Sequence, residues 1–243
     1  PLPTSGTIVT DNSPPDQTDA RASQMKRRLF RLCLFFAMTL RALPCAAADP
    51  PKVDGPYKLL AADFTGNGHR DLVIGFHDLG LLAVAQGDGR GRFVHRAITP
   101  IQPATGKGFV VGTYNLATGD LDGDRRPDLA VGCRGHFVLI ARNQGDGRFE
   151  PRLRLPTESD AKGVALADLD RDGKLDLLYT ARGTGRADDT KTGRLYLRQG
   201  LGKWKFGDAI TLEAGISAYY VETADLDADG FLDVLVPNEL GKT

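Results

Sequence analysis

The chain has 243 residues with 31 Lys+Arg against 31 Asp+Glu, a formal net charge of zero that excludes a broadly basic nucleic-acid binder and a uniformly acidic tail. Hydrophobic residues at 41% with 26% charged exclude an intrinsically disordered chain, and 29 Gly with 14 Pro favour turns over long helices.

Residues 1–24 lack an initial Met and form a polar, Pro-containing stretch without periodicity, read as disordered or not naturally translated. Met25 opens a basic segment of Lys26, Arg27, Arg28 and Arg31, followed by an uncharged run at 32–40 and by Ala46, Ala47 and Ala48. Residues 25–48 thus have the order of a secretory signal peptide cleaved after Ala48, which places the protein outside the cell, in a periplasm or at the cell surface. The run is bounded by Arg31 and Arg41, short of the about 20 apolar residues a spanning helix needs, so no transmembrane segment is expected after cleavage. Residues 49–243 retain 25 Lys+Arg, 28 Asp+Glu and a single cysteine, Cys133, so no intramolecular disulfide can hold an exported domain.

Four copies of one segment follow, beginning at Asp63, Asp120, Asp168 and Asp225 with spacings of 57, 48 and 57 residues. They read DFTGNGHRD, DLDGDRRPD, DLDRDGKLD and DLDADGFLD. Each follows a short apolar strand ending in a small residue and precedes an unbroken apolar run (Leu72-Val73-Ile74, Leu129-Ala130-Val131, Leu177-Leu178-Tyr179, Val234-Leu235-Val236), as suits a strand buried on both faces. A second signature lies between the copies: QGDGRGRF at 86–93, QGDGRF at 144–149 and the looser QGLGKWKF at 199–206, each between apolar strands and each read as a Gly-rich hairpin turn. One repeat is then four strands, and four-stranded units at this period are the blades of a β-propeller.

The pairing of DxDxDGxxD loops with QGDGRF turns resembles the FG-GAP or VCBS repeat proteins, over roughly residues 57–243. The resemblance implies an all-β fold of integrin-alpha-like propeller blades, with each acidic loop joining the first two strands of a blade and binding one Ca²⁺. It supplies no single function.

The residues themselves argue for the same ion. Carboxylates at positions 1, 3, 5 and 9 of a tight turn surround a cavity with hard oxygens, position 7 adds a backbone carbonyl, and without a cation the carboxylates would repel one another. The expected ligands are Asp63, Asn67, His69 and Asp71; Asp120, Asp122, Asp124, Arg126 and Asp128; Asp168, Asp170, Asp172, Lys174 and Asp176; and Asp225, Asp227, Asp229, Phe231 and Asp233. His69, Arg126, Lys174 and Phe231 stand at position 7 and enter through the main chain. An EF-hand is excluded, because position 12, which should be a bidentate Glu, is Ile74, Val131, Tyr179 or Val236. Up to four ions are expected. The third and fourth loops have full ligand sets with Gly173 and Gly230 at position 6, whereas Arg125 at that position strains the second loop, and the first loop, with Thr65 replacing an Asp, is the weakest.

No catalytic constellation is present. Ser159, Ser217 and Cys133 sit in no nucleophile elbow, the four histidines lack metal-ligand spacing, and Cys133 reads as a small core residue. Six residues before each acidic loop stand Tyr57, Tyr114, Lys162 and Tyr219, the last followed by Tyr220; these could ring one mouth of a central channel as a ligand face, or pack between blades as core.

Blades at this period account for about three and a half units, and only seven residues follow Val236. A truncated gene product and a homodimer that closes one ring are the two expectations. The functional expectation is an exported calcium-binding propeller module that binds a protein or glycan partner without catalysis. The alternative is the propeller portion of an extracellular polysaccharide-degrading or other enzyme whose catalytic part is missing here or lies on the channel face.

Overall fold

The structure is a computed structural model that describes residues 56–101, 112–181, 193–215 and 217–238. The expected signal peptide at 25–48 and the upstream segment lie outside the described residues. Sixteen strands and no helix are formed among them.

The first sheet takes β1 (Pro56–Ala62), β2 (Asp71–Phe76), β3 (Leu81–Gly87) and β4 (Phe93–Pro100) in chain order. The second takes β5 (Thr113–Gly119), β6 (Asp128–Cys133), β7 (Phe137–Asn143) and β8 (Phe149–Pro156). The third takes β9 (Ala161–Ala167), β10 (Asp176–Ala181), β11 (Arg194–Arg198) and, after a small hairpin of β12 (Gly200–Gly202) and β13 (Lys205–Phe206), β14 (Ile210–Glu213). The pair β15 (Glu222–Ala224) and β16 (Asp233–Leu235) is half of a fourth unit. All pairings are antiparallel, and neighbouring first strands lie against each other, β1 on β5 and β5 on β9, as in a propeller whose innermost strands face the axis. The architecture is an all-β partial propeller.

The second strands explain the unbroken apolar runs. Alternate residues point to opposite faces, so Val73 packs with Leu129 and Val131 in the seam between the first two blades, while Ala130 packs with Leu177 and Tyr179 in the next seam and Leu178 packs toward the half blade. Every residue of β2, β6 and β10 is buried. β16 departs from that expectation: Val234 and Leu235 are each 38% exposed, because no strand among the described residues lies outside the half blade. Close approach of the blades needs glycine at Gly132, where an added Cβ would stand 2.7 Å from the Ala161 carbonyl oxygen.

The looser Gly-rich signature also departs from its expected form. In the first two blades the turns span 88–92 and 144–148 and join β3 to β4 and β7 to β8 directly, whereas QGLGKWKF folds into β12–β13 before the chain reaches β14. The reason lies outside the repeat. The Trp204 amide donates to the Leu121 carbonyl of the neighbouring blade at 3.2 Å, which draws the segment away from the sheet it would otherwise extend.

Candidate functional site

Each acidic loop is closed by a strand pair, Ala62 with Asp71, Gly119 with Asp128, Ala167 with Asp176 and Ala224 with Asp233, so position 1 leaves the first strand and position 9 begins the second. Backbone N–H groups are drawn inward. Asp63 accepts from Asn67 and Gly68, Asp168 from Asp172 and Gly173, Asp225 from Gly230, and Asp120 from the amides of 122 to 125. The position-7 amides of His69, Arg126, Lys174 and Phe231 donate to the position-5 side chains of Asn67, Asp124, Asp172 and Asp229 at 2.7–2.9 Å.

Three groups result: Asp120, Asp122 and Asp128; Asp168, Asp170 and Asp172; and Asp225, Asp227 and Asp229, each with carboxylate oxygens within 4.8 Å of one another. Such clusters could hold a metal ion. Their donors are hard oxygens only, which fits a cation such as Ca²⁺ and not a soft metal. The second loop differs in one respect. Oδ2 of Asp124 is taken by the Arg126 guanidinium at 2.5 and 2.9 Å and by Arg142 at 3.3 Å, and the Arg126 hydrogen bond draws its carboxyl down to about 2. The first loop has only two carboxylates, Asp63, which accepts the Asn67 amide, and Asp71, which accepts from Phe64 and Thr65.

The position-9 aspartates have a further use that the ligand pattern did not disclose. Asp71, Asp128 and Asp176 are buried. One oxygen of each accepts the position-2 amide (Phe64, Leu121, Leu169), and the other accepts the amide of Gly87, Asn143 or Gly200 on the third strand or just after it. These residues tie the loop to its own blade.

Position 6 has positive φ in all four loops: 78° at Gly68, 65° at Arg125, 81° at Gly173 and 87° at Gly230. Position 4 does too, at 69° in Gly66, 87° in Gly123, 60° in Arg171 and 61° in Ala228. A Cβ in this region costs about 1–2 kcal/mol, less what glycine loses in the unfolded chain. Ala228→Gly should therefore raise stability by about 0.5–1 kcal/mol in urea unfolding, whereas Gly230→Ala should lower it.

At the opposite end of the same first strands, one irregularity recurs. In the first blade Pro56 pairs with Phe76 and Lys58 with Gly75; in the second Thr113 pairs with Cys133 and Asn115 with Gly132. In the third Ala161 pairs with Ala181 and Val164 with Tyr179, and in the half blade Ala218 bridges Asn238 while Glu222 pairs with Leu235. One extra residue bulges in each first strand, and a bulge re-aims a side chain. Tyr57, Tyr114 and Lys162 fall in these bulges, with Tyr219 and Tyr220 in the corresponding segment of the half blade.

They converge. The Tyr57 and Tyr219 hydroxyls are 3.1 Å apart, Lys162 Nζ lies 3.2 Å from the Tyr114 ring centre and 5.6 Å from that of Tyr219, and Lys58 Nζ lies 5.9 Å from that of Tyr220. The His77 ring lies tilted against Tyr57 at 5.2 Å and edge-to-face with Tyr114 at 5.0 Å, and Tyr114 Oη donates to Asp160 at 3.0 Å. His77 and Asp160 join the group from outside the sequence pattern; only their position just past a second strand and just before a first strand marks them. Burial is uneven: Tyr114 and Lys162 are 7% and 6% exposed, whereas Tyr57 is 43% exposed. The inner members pack as core and the outer ones present a surface.

Burial, followed by the charge and hydrogen bond of Asp160, raises the Tyr114 hydroxyl well above its ordinary value. A raised folded-state value means that stability is fully present below about pH 10 and is lost as pH rises above it. Absorbance titration of the native protein should show Tyr114 resisting ionisation at about pH 11, and Tyr114→Phe should flatten the alkaline fall in stability.

Comparison with known proteins agrees with this architecture. Solved structures share it, among them the periplasmic gluconolactonase of Pseudomonas aeruginosa, at 19% identity and a TM-score of 0.50 over 79% of this chain and 45% of that one, and an Agrocybe aegerita lectin that recognises non-reducing terminal N-acetylglucosamine, at 20% identity and 0.51 over 76% and 48%. The chain spans about half the length of these two proteins. No curated protein matches it in sequence. The model of the FG-GAP-like repeat matches residues 63–131, 120–179 and 183–236. With its blades, its acidic loops and these matches over most of its length, the chain belongs to the FG-GAP-like repeat family.

Proposed function

We propose that the chain is an exported, calcium-stabilised propeller module that binds a protein or glycan partner and is itself non-catalytic. The binding reading rests on one observation, the bulge that recurs in each first strand and gathers Tyr57, Tyr114, Lys162, Tyr219 and Tyr220 at one end of the innermost strands. Hydroxyls and aromatic faces side by side suit a sugar, whose rings pair apolar faces with hydroxyl edges. The lectin among the structural neighbours supports a glycan; a gluconolactonase on the same architecture shows why the fold alone does not choose.

Calcium would be held by Asp168, Asp170, Asp172 and Asp176 with the Lys174 carbonyl, and by Asp225, Asp227, Asp229 and Asp233 with that of Phe231. In the second loop Asp120, Asp122 and Asp128 would carry the ion with the Arg126 carbonyl while Asp124 stays with Arg126. Asp63, Asn67 and Asp71 with the His69 carbonyl would form the weakest site. The signal-like segment 25–48 supports export, as does the periplasmic setting of the gluconolactonase. The exposed apolar face of β16 suits further blade strands, and a molar mass in solution tells whether a second copy supplies them.

A glycan array tests the binding face. Tyr219→Ala/Tyr220→Ala should abolish binding and leave the unfolding temperature within about 2 °C. Retained binding would exclude this face; unfolding would assign the tyrosines to packing.

A further inference from the structure

A cleft lies at the acidic-loop end, away from the tyrosines. It is about 590 Å³ in volume and runs between the second and third acidic loops, with the β12–β13 hairpin as its third wall. That volume is in the range that holds a small ligand. Leu121, Leu175 and Phe206 give it apolar surface, and Lys203 and Lys205 stand on the hairpin beside them.

The hairpin is held there against its own backbone preference. Lys203 and Trp204 occupy the two central positions of the turn with φ of 51° and 56°, a conformation that Asn-Gly or Gly-Gly would adopt without strain. Its fixation comes from across the blade seam. The Trp204 main-chain N–H donates to the Leu121 carbonyl, its indole Nε1–H donates to Asp128 Oδ2 at 3.2 Å, and Arg142 and Arg152 lie over its ring at 5.4 and 5.0 Å. The first two blades have no counterpart, so the repeat fold does not require this hairpin.

The cleft is lined by Asp120 and Asp122 as well as by Lys174, Lys203 and Lys205, and most of these groups are already engaged. Asp120 accepts backbone N–H groups and belongs to the second loop's ligand set, Asp122 faces Arg142 at 3.5 Å, and Lys174 is paired with Asp172 at 2.7 Å. Among the described residues Lys203 and Lys205 have no ion-pair partner and are exposed. Two uncommitted ammonium groups beside an apolar wall complement a ring with one apolar face and one carboxylate. We infer that the cleft between the second and third blades binds the uronic acid residue of an acidic saccharide, with Lys203 and Lys205 on the carboxylate and Phe206 against the ring. The site does not depend on the tyrosine face, which lies at the other end of the strands.

Trp204 is the single tryptophan of the chain, so its fluorescence reports on the cleft directly. In calcium-containing buffer, a glucuronic acid-terminated disaccharide should shift the emission and bind at least about tenfold more tightly than its glucose-terminated counterpart. The affinity should fall as salt is raised, and Lys203→Ala/Lys205→Ala should weaken it by about tenfold or more with the unfolding temperature unchanged. Tyr219→Ala/Tyr220→Ala should leave it intact, which separates this site from the binding face above. Equal binding of the neutral disaccharide, insensitivity to salt, or no response up to about 10 mM overturns the inference. A tetraglutamate peptide that binds as tightly as the acidic disaccharide also overturns it, because the cleft would then select charge and not a sugar.

Discussion

Excess EDTA should lower the unfolding temperature by about 10 °C relative to millimolar calcium. An ion held at about a thousand times its dissociation constant stabilises the folded form by about 4 kcal/mol, and a domain of this size shifts by about 2–4 °C per kcal/mol. The effect should come mainly from the third and fourth loops, where Asp168, Asp170 and Asp172, and Asp225, Asp227 and Asp229, crowd their oxygens within 4.8 Å without a competing cation on every carboxylate. In the second loop Arg126 and Arg142 already neutralise part of the charge, so less is gained there. Asp168→Asn and Asp225→Asn should each remove a distinct part of the calcium-dependent increment, and Mg²⁺ should restore little of it, since Mg²⁺ demands strict six-coordination. Unchanged melting and unchanged proteolysis in EDTA would sink the calcium reading.

What could be read from the residues was whatever has a local period. Unbroken apolar runs after each loop announced β2, β6 and β10, and the spacing of the aspartates announced where the first two strands of each blade turn. The exposure of β16 follows from the same rule, since a strand with two apolar faces needs a blade on each side. The bulge at Tyr57, Tyr114 and Lys162 had no such mark. An extra residue in a strand looks like any other residue until its pairing is known, and only the register reveals it.

Long-range partners were illegible for a related reason. QGLGKWKF looks like its sister turns, and nothing within it says that Trp204 will donate to Leu121 and Asp128. The positive φ at position 4 was half visible: Gly66 and Gly123 suggested it, while Arg171 and Ala228 concealed it. Aspartate at position 9 of every copy was visible, yet a metal ligand and a hydrogen-bond anchor require the same side chain, and one letter cannot distinguish the two.

Asp128 separates those roles. It is fully buried and accepts from the Leu121 amide at 3.1 Å, the Asn143 amide at 2.8 Å and the Trp204 indole at 3.2 Å. Asp128→Ala strands these donors, and at about 1–3 kcal/mol for each buried orphan the loss should reach about 3–5 kcal/mol, a large share of a domain's stability. Burial raises the Asp128 carboxyl above its ordinary value, so the ionised form carries a desolvation cost that an amide does not. Asp128→Asn keeps one acceptor oxygen, for the Leu121 amide and the Trp204 indole, but sets its NH2 against the Asn143 amide, so it should lose less than Asp128→Ala in EDTA, while still weakening calcium binding. Asp124→Ala supplies the contrast: its carboxylate meets Arg126 and Arg142 at the surface, where solvent screens the pair, and its removal should change stability little. Urea unfolding of the three variants in EDTA decides the matter. A large loss confined to Asp128→Ala makes position 9 a structural anchor in its own right, whereas equal and small losses in all three leave it a metal ligand alone.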